Sequence, residues 1–326
     1  MPARSFEPPT SGALSSRSMS ESRLNDGTRT ELVWPGKGRT PPPPAVTALK
    51  FDPERDLLIH GDNWAAMHAL LPFCRGRVDL VYIDPPFSTG DVFDVKPRAG
   101  DQTAVPARAY TDRFGPTPDA YLRFMAPRLT LIRELLADDG SLLLHCDFRA
   151  SHLLGLVCDE LFGRGDRGTE KHAAGFRNEI VWSYGLGGSS PRLYPHKHDV
   201  VLWYTKSAAW TFEAPRIPAT SERMKGRLKK QTDVFDDVPS LNNMAKERTG
   251  YPTQKPLALL ERFVLAHTKP GGLVADVFAG SGTTLVAAAR HGRRWIGCDA
   301  GLPAVAAVQK RLAAEAAIRP YAVVKL

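Results

Sequence analysis

The architecture of this chain can be inferred from one segment, Val78-Asp-Leu-Val-Tyr-Ile-Asp-Pro-Pro-Phe87. Its apolar part, from Leu80 to Ile83, is short, rich in β-favouring residues and closed by two prolines. That pattern is typical of a buried parallel strand. In open α/β sheets, ligands bind beyond the carboxyl ends of such strands. The sequence therefore predicts that Asp84 stands at a ligand-binding edge.

The turn after this strand presents three different chemical groups. Pro85 and Pro86 have fixed φ angles and no N–H, so the turn is stiff and its carbonyls face outward. Phe87 adds an aromatic face beside the Asp84 carboxylate. A planar amine could donate one N–H to the carboxylate and one to the Pro85 carbonyl while its ring stacks on Phe87. An Asp-Pro turn with an apolar anchor explains the same residues without a ligand.

A second strand and turn lie near the other end of the chain. Leu273–Val277 is predicted to be a strand that carries Asp276, and a helix is predicted over Thr283–His291. The connecting turn contains Phe278, Ala279, Gly280, Ser281 and Gly282. Its glycines permit a tight turn, and the helix N-terminus directs N–H donors towards a ligand.

Two familiar phosphate-binding patterns do not fit this turn. A P-loop requires Lys after the second glycine, where Thr283 stands, and the dinucleotide fingerprint requires a third glycine, where Leu285 stands. A nucleoside-type pocket remains. The next predicted strand, Arg294–Cys298, is followed by Asp299, which lies at the spacing of an acid that binds ribose hydroxyls.

Composition limits the class of protein. The chain has 326 residues and a net charge of +8, and residues 161–232 contain 13 basic and 6 acidic side chains, which favours a polyanionic partner. The four cysteines are scattered, so we expect reduced packing residues and no metal site. Without an apolar run near 18 residues or a signal peptide, we expect a cytoplasmic protein that does not enter a membrane.

The pattern along the chain predicts one α/β domain with an insertion. Residues 1–45 are predicted to be a mostly disordered tail, 46–160 the first half of the domain, 161–241 a basic insertion and 242–326 the second half. Residues 88–118 are predicted to be a loop, and 206–247 are predicted to be irregular. Further strands are predicted at Asp56–His60, Ser141–Cys146, Glu179–Tyr184 and Asp199–Thr205, and further helices at Trp64–Leu71, Tyr121–Ala137, Ser151–Phe162 and Pro256–His267.

These motifs and their order resemble the amino-DNA methyltransferases of the β group. Asp84-Pro-Pro-Phe87 resembles the catalytic motif of that group, and Phe278-Ala-Gly-Ser-Gly-Thr-Thr284 resembles its cofactor motif. Tyr251-Pro-Thr-Gln-Lys-Pro256 resembles the motif just upstream of the cofactor loop, and Trp295-Ile-Gly-Cys-Asp299 resembles the strand whose acid binds the cofactor ribose. Ser88 departs from the Asn expected after the aromatic residue.

The resemblance implies a seven-stranded Rossmann-like sheet and a mechanism. Methyl would pass from S-adenosylmethionine to the exocyclic amine of a flipped-out base, with Asp84, Pro85, Pro86 and Phe87 as the catalytic residues. The cofactor-binding residues implied are Asp62, Thr253, Lys255, Asp276, Phe278, Ala279, Gly280, Ser281, Gly282, Thr283 and Asp299.

The resemblance leaves several alternatives open. Asp at position 84 favours adenine N6 over cytosine N4 as the target, and a non-catalytic DNA-binding protein or a methylase of RNA or protein amines remain alternatives. Double-stranded DNA is the expected partner, and a cognate restriction endonuclease and a homodimer are candidates. The expected DNA-binding residues are basic side chains of the insertion: Arg192, Lys197, Arg223, Lys225, Arg227, Lys229 and Lys230.

Overall fold

The computed structural model describes residues 31–45, 49–95, 107–115, 117–168, 172–185, 189–219, 221–242, 245–316 and 318–326. Met1–Leu32 form a separate unit, and the fold described below is that of Val33–Leu326. Residues 1–30 of the predicted tail lie outside the described residues. Within the second unit, Trp34 is buried and Lys37 pairs with Glu160.

Thirteen strands and six helices, besides two 3-10 turns, are found in the described parts of the chain. The strands are β1 Asp56–His60, β2 Val78–Ile83, β3 Val92–Val95, β4 Ala107–Thr111, β5 Leu136–Cys146, β6 Gly175–Ser183, β7 His198–Thr205, β8 Arg216–Pro218, β9 Leu228–Lys230, β10 Val234–Phe235, β11 Leu273–Asp276, β12 Arg294–Asp299 and β13 Tyr321–Lys325. The helices are α1 Asn63–Cys74, α2 Pro118–Leu135, α3 Ser151–Phe162, α4 Leu257–His267, α5 Thr283–Arg290 and α6 Leu302–Ala313.

Nine of these strands form one sheet, in the order β10-β6-β7-β5-β2-β11-β12-β1-β13. β7 runs antiparallel to both neighbours, and the other pairings are parallel. The Rossmann-like fold predicted from the sequence is thus confirmed. The sheet has nine strands rather than seven because β10 and β13 add one short strand to each edge.

β2 and β11 lie side by side at the centre of the sheet. Leu80 is paired with Val274 and Val81 with Ala275. The chain continues from β2 to β5 on one side and from β11 to β12 on the other, so the topology changes direction between them. Ligands of open α/β sheets bind at such a switch point. The pairing places the turn after Ile83 next to the turn after Asp276.

Three segments differ from the expectation drawn from the sequence. The predicted loop at 88–118 contains the hairpin β3–β4, in which the Phe93 and Tyr110 rings stack. The segment 206–247, predicted to be irregular, contains the hairpin β8–β9 and the edge strand β10. β13 was not predicted. These strands are short and pair with partners that local patterning does not reveal.

Asp112, just after β4, fixes the turn that follows β2. Its carboxylate accepts hydrogen bonds from the backbone N–H groups of Phe87 (3.0 Å), Ser88 (2.6 Å) and Thr89 (3.0 Å). The Asp112 side chain is buried. Ser88 has φ 60°, a left-handed conformation that Asn adopts more readily than Ser. The carboxylate therefore stabilises a conformation that the residue itself does not favour.

Replacing Asp112 with Ala should lower the free energy of unfolding by about 2–4 kcal/mol, since three N–H groups lose a charged acceptor. Chemical denaturation of the purified variant measures this loss. Asp91→Ala is the matched control, because that neighbouring side chain is exposed and its loss should change stability by less than about 0.5 kcal/mol. Equal stabilities of the two variants would show that Asp112 does not fasten the turn.

Candidate active site

The Asp84 carboxylate stands at the end of β2, as the sequence predicted, and forms an ion pair with Lys255. The Lys255 Nζ is 2.6 Å from Asp84 Oδ2, and the two side chains are 10% and 18% exposed, Lys255 being the more buried. Lys255 precedes α4 and is 171 residues away along the chain. The pair joins the two halves of the domain at the wall of one cavity.

Phe87 lies on top of a buried hydrogen-bonded network. Its ring stacks on the His145 ring, with centroids 6.3 Å apart and planes 19° from parallel. His145 is hydrogen-bonded to Tyr82 through Nδ1 (2.8 Å) and to Asp199 through Nε2 (3.1 Å). Tyr184 also donates a hydrogen bond to Asp199. These hydrogen bonds fix the His145 ring, which supports one face of the Phe87 ring.

Asp199 is held as an anion within this network. Burial raises the pKa of its carboxyl, but the hydrogen bond and charge of His145, helped by the Lys255 charge and the Tyr184 hydroxyl, outweigh burial and lower it to about 2. Asp199, His145 and Asp112 were not singled out in the sequence. Each is an isolated polar residue whose partners lie far along the chain, so no local signal reveals them.

Asp276 organises the turn that connects β11 to α5, residues 277–282, which is called the cofactor turn below. Its Oδ1 accepts a hydrogen bond from the Phe278 N–H (3.0 Å), and its Oδ2 accepts one from the Thr284 hydroxyl (2.6 Å). Burial raises the pKa of Asp276 to about 7. Asp276 therefore ties the turn after β11 to the start of α5, and it also lines the cavity.

Asp299 joins the end of β12 to the same turn. Its carboxylate accepts hydrogen bonds from the Gly280 and Gly301 N–H groups, both at 2.8 Å. A carboxylate has about four acceptor sites, so acceptor capacity remains for hydroxyl groups. Burial raises the pKa of Asp299, and these two hydrogen bonds act in the opposite direction.

The other predicted cofactor residues fall into two groups. Thr253, Phe278, Ala279, Ser281 and Thr283 line the cavity, as does Asp62, which also caps α1. Gly282 does not line it. Gly282 is at φ 75° before α5, and an added Cβ would be 2.7 Å from the Val308 side chain, so it serves the packing of α5 against α6.

The ledge residues 84–87 and the cofactor turn open into the same cavity, whose volume is about 610 Å³. Carboxyl side chains outnumber Arg and Lys along its wall, and four of them are Asp84, Asp199, Asp276 and Asp299. Aromatic side chains, including Phe87 and Tyr251, supply flat faces. The cavity has the size of a ligand pocket and favours a cationic or polar guest.

The residues present fit S-adenosylmethionine. Asp299 keeps acceptor capacity for ribose hydroxyls, and Thr283 and Thr284, at the start of α5, line the cavity. Gly280, at φ 50°, lies against the Tyr251 ring, which an added Cβ would approach to 3.3 Å. The acidic wall suits a sulfonium cation.

The predicted DNA-binding residues lie outside the cavity wall. Arg223, Lys225, Arg227 and Lys230 are exposed and Lys229 is half-buried, on and before β9. Arg192 and Lys197 belong to the segment that leads into β7, beside His196 and His198, which line the cavity. His196 stacks on Phe148 with ring centroids 3.8 Å apart. Arg192 and Lys197 thus belong to a segment that supplies part of the cavity lining.

Neither a metal-binding cluster nor a membrane-spanning helix is found among the described residues. In that part of the chain, no group of three or more His, Cys, Asp or Glu side chains could hold a metal ion. None of the helices described is both long and apolar enough to span a membrane. The four cysteines are buried and unpaired.

The raised pKa of Asp276 predicts a pH-dependent stability. The carboxyl ionises near pH 3.8 in its reference state but near pH 7 in the folded protein, so its contribution to stability is present at low pH and is lost as the pH rises towards 7. Relative to Asp276→Asn, the wild type should lose about 2–3 kcal/mol of unfolding free energy between pH 5 and pH 8. Urea denaturation of both proteins measures this difference. Asp236→Asn, an exposed control, should follow the wild type, and a parallel profile for Asp276→Asn would refute the expectation.

Several known proteins are similar to this chain. The type II methyltransferase M.EcaI of Enterobacter cloacae is 28% identical over 321 residues, which cover 78% of this chain and 69% of that protein. The type II methyltransferase M2.DpnII of Streptococcus pneumoniae is 27% identical, with 83% and 94% covered. The DNA adenine methyltransferase YhdJ of Escherichia coli K12 is 26% identical, with 77% and 80% covered.

Solved structures share the fold. TTHA0409 of Thermus thermophilus, a putative DNA modification methylase complexed with S-adenosylmethionine, superposes with a TM-score of 0.55 at 22% identity, covering 83% of this chain and 98% of that one. The cytosine-N4-specific PvuII DNA methyltransferase gives 0.54 at 18% identity, covering 78% and 86%.

The model of the N6_N4_Mtase family, described as DNA methylase, matches residues 78–310. This match runs from the first residue of β2 through most of α6, so it includes the Asp84 ledge and the cofactor turn. It confirms the resemblance seen in the sequence and, with it, S-adenosylmethionine as the cofactor. The chain belongs to the N6_N4_Mtase family of DNA methylases.

Proposed function

We propose that the protein transfers a methyl group from S-adenosylmethionine to the N6 amine of an adenine flipped out of double-stranded DNA. The observation that supports this most directly is that the Asp84 ledge and the cofactor turn line the same cavity. An acceptor carboxylate, an aromatic plate and a nucleoside-binding turn meet there. The arrangement suits the attack of a base amine on a bound methyl donor.

The chemistry follows from the properties of an aromatic amine. Its lone pair is delocalised into the ring, which makes it a poor nucleophile. Asp84 and the Pro85 carbonyl would each accept one N–H and so favour a pyramidal nitrogen, while Phe87 stacks on the base. The nitrogen becomes cationic as it gains the methyl group, and the Asp84 carboxylate stabilises that charge until the nitrogen releases its surplus proton to solvent. S-adenosylmethionine, when bound, supplies the electrophilic methyl group.

Catalysis of this kind depends on positioning and electrostatics. The structure provides rigid supports for both: Asp112 fastens the turn, and His145 backs the Phe87 ring. No covalent intermediate with the protein is needed. The rate should therefore depend on the placement of Asp84 more than on any nucleophilic side chain.

The base has to leave the duplex to react. The lining of the cavity includes β2, β11 and β12 strand ends, and the target atom of a stacked base cannot reach them. Arg192 and Lys197, in the segment before β7, and the basic residues on and before β9 would bind the phosphate backbone while the base enters the cavity. A partner endonuclease and a homodimer stay predictions from the sequence.

Adenine is favoured over cytosine by two observations. The ledge begins with Asp84, the residue that favours adenine in this family, and the relative YhdJ is a DNA adenine methyltransferase. The alternative is cytosine N4, which is the target of the PvuII enzyme that shares the fold. Separation of methylated nucleosides from DNA treated with the protein distinguishes N6-methyladenine from N4-methylcytosine.

Asp84→Ala should reduce the single-turnover rate of methyl transfer by about 10²–10³-fold or more, because one charged partner of the developing cation is lost. Cofactor and DNA affinity should stay near wild type. The assay follows labelled methyl into genomic DNA. A variant within tenfold of the wild type would remove Asp84 from the chemistry, and N4-methylcytosine as the wild-type product would exclude adenine.

Neutralising Arg223, Lys225, Arg227, Lys229 and Lys230 together should weaken DNA binding and reduce its salt dependence. Removing one charge that pairs with a phosphate lowers the slope of log K against log salt by about 0.9 on duplex DNA. Titrations at several salt concentrations measure the slope, and cofactor affinity is the control. An unchanged slope would indicate that this surface is only a solvated face.

A further inference from the structure

Lys255 was predicted from the sequence to bind the cofactor, but its ammonium lies on the catalytic side of the cavity. Nζ is 2.6 Å from Asp84 Oδ2 and 5.4 Å from the centre of the Phe87 ring. Its backbone carbonyl accepts a hydrogen bond from the Thr283 hydroxyl, so the main chain is held against α5. A cationic donor thus stands close to both the carboxylate and the aromatic plate proposed to receive the base.

The Asp84–Lys255 pair keeps hydrogen-bonding capacity on both partners. An ammonium has three N–H donors, and one is used by Asp84. Among the described residues, no second acceptor contacts Lys255 Nζ and no donor contacts Asp84 Oδ1. The pair therefore offers a guest one carboxylate acceptor directly beside ammonium donors.

This pattern is complementary to two of the four bases when their Watson–Crick edges are compared. Adenine presents the N6 amine beside the unprotonated ring nitrogen N1, and cytosine presents the N4 amine beside N3. In guanine and thymine, a carbonyl oxygen stands beside a ring N–H, which is the reverse pattern. An amine and its neighbouring ring nitrogen share one carbon atom, so their partners must be adjacent. Asp84 and Lys255 are one hydrogen bond apart and meet this requirement.

We propose that Lys255 donates a hydrogen bond to the ring nitrogen next to the target amine, which is N1 of adenine. This inference rests on the proposed function and adds a specificity-determining residue to it. The proton stays on Nζ, and the contact orients the base so that its amine meets Asp84 Oδ1. Guanine and thymine would place a ring N–H against the ammonium and a carbonyl against the carboxylate.

The test compares adenine with 1-deazaadenine, which lacks the N1 acceptor, at the target position of a duplex substrate. The wild type should transfer methyl about 10–100-fold more slowly to 1-deazaadenine in single turnover. 7-Deazaadenine keeps N1 and serves as the control base. Removal of N1 also changes the reactivity of the amine. The rate on adenine is therefore divided by the rate on 1-deazaadenine, and this ratio is compared between the wild type and a variant.

Lys255→Met removes the donor and keeps the length of the side chain. It should be slow on adenine, and its rate ratio of adenine to 1-deazaadenine should fall to the difference that the two amines show by themselves. Lys255→Arg keeps a donor and should retain part of the additional difference. Lys310→Met, an exposed residue of α6, should behave as the wild type. Unfolding curves of the variants show whether each is folded.

The outcomes separate the two proposals. If Lys255→Met slows transfer to both bases by the same factor, Lys255 acts only through Asp84 and the inference is wrong. The inference is also wrong if folded Lys255→Arg has the same rate ratio of adenine to 1-deazaadenine as Lys255→Met while the wild type has a larger one. A wild type that methylates cytosine would overturn the choice of adenine alone, and the inference then predicts the same behaviour with 3-deazacytosine. A wild type that methylates neither base would overturn both.

Discussion

The parallel pairing of β2 with β11 is the constraint on which the rest of the site depends. It brings together the ends of two strands that are separated by most of the chain, and it does so where the sheet changes direction. Backbone hydrogen bonds in the sheet fix the distance between the two turns, which side-chain contacts alone could not do as firmly. The proposed methyl acceptor and methyl donor sites are therefore set side by side before any ligand binds.

Around this junction, two carboxylates support the turns and a third is the proposed catalytic group. Asp112 accepts hydrogen bonds from the turn after β2, and Asp276 accepts them from the turn after β11 and from the start of α5. Asp84 keeps one oxygen available and has Lys255 as its counter-ion. All three line the cavity, but Asp112 and Asp276 are buried, whereas the side chain of Asp84 is 18% exposed. Preorganisation of this kind means that little reorganisation is needed during reaction.

The sequence revealed the motifs because each of them is local. A short apolar run before Asp84 and a glycine turn after Asp276 both read as strand ends, and the structure places them there. The partners of those motifs were not accessible in the same way. Asp112 and His145 act through contacts that depend on the folded sheet, and the hairpin β8–β9 has strands of only three residues. Short strands and isolated polar residues carry too little local pattern to be distinguished from loops.

The charge distribution around the cavity has a further consequence. Its wall is rich in carboxylates, whereas Arg192 and Lys197 lie beside residues of its rim. A nucleotide is divided in a corresponding way, since its phosphate is an anion and its base is neutral. In the proposed reaction, this division of charge would keep the phosphate backbone outside the cavity and admit only the base. Ionic strength should govern how often a strand docks, while the shielded reaction inside stays nearly insensitive to salt.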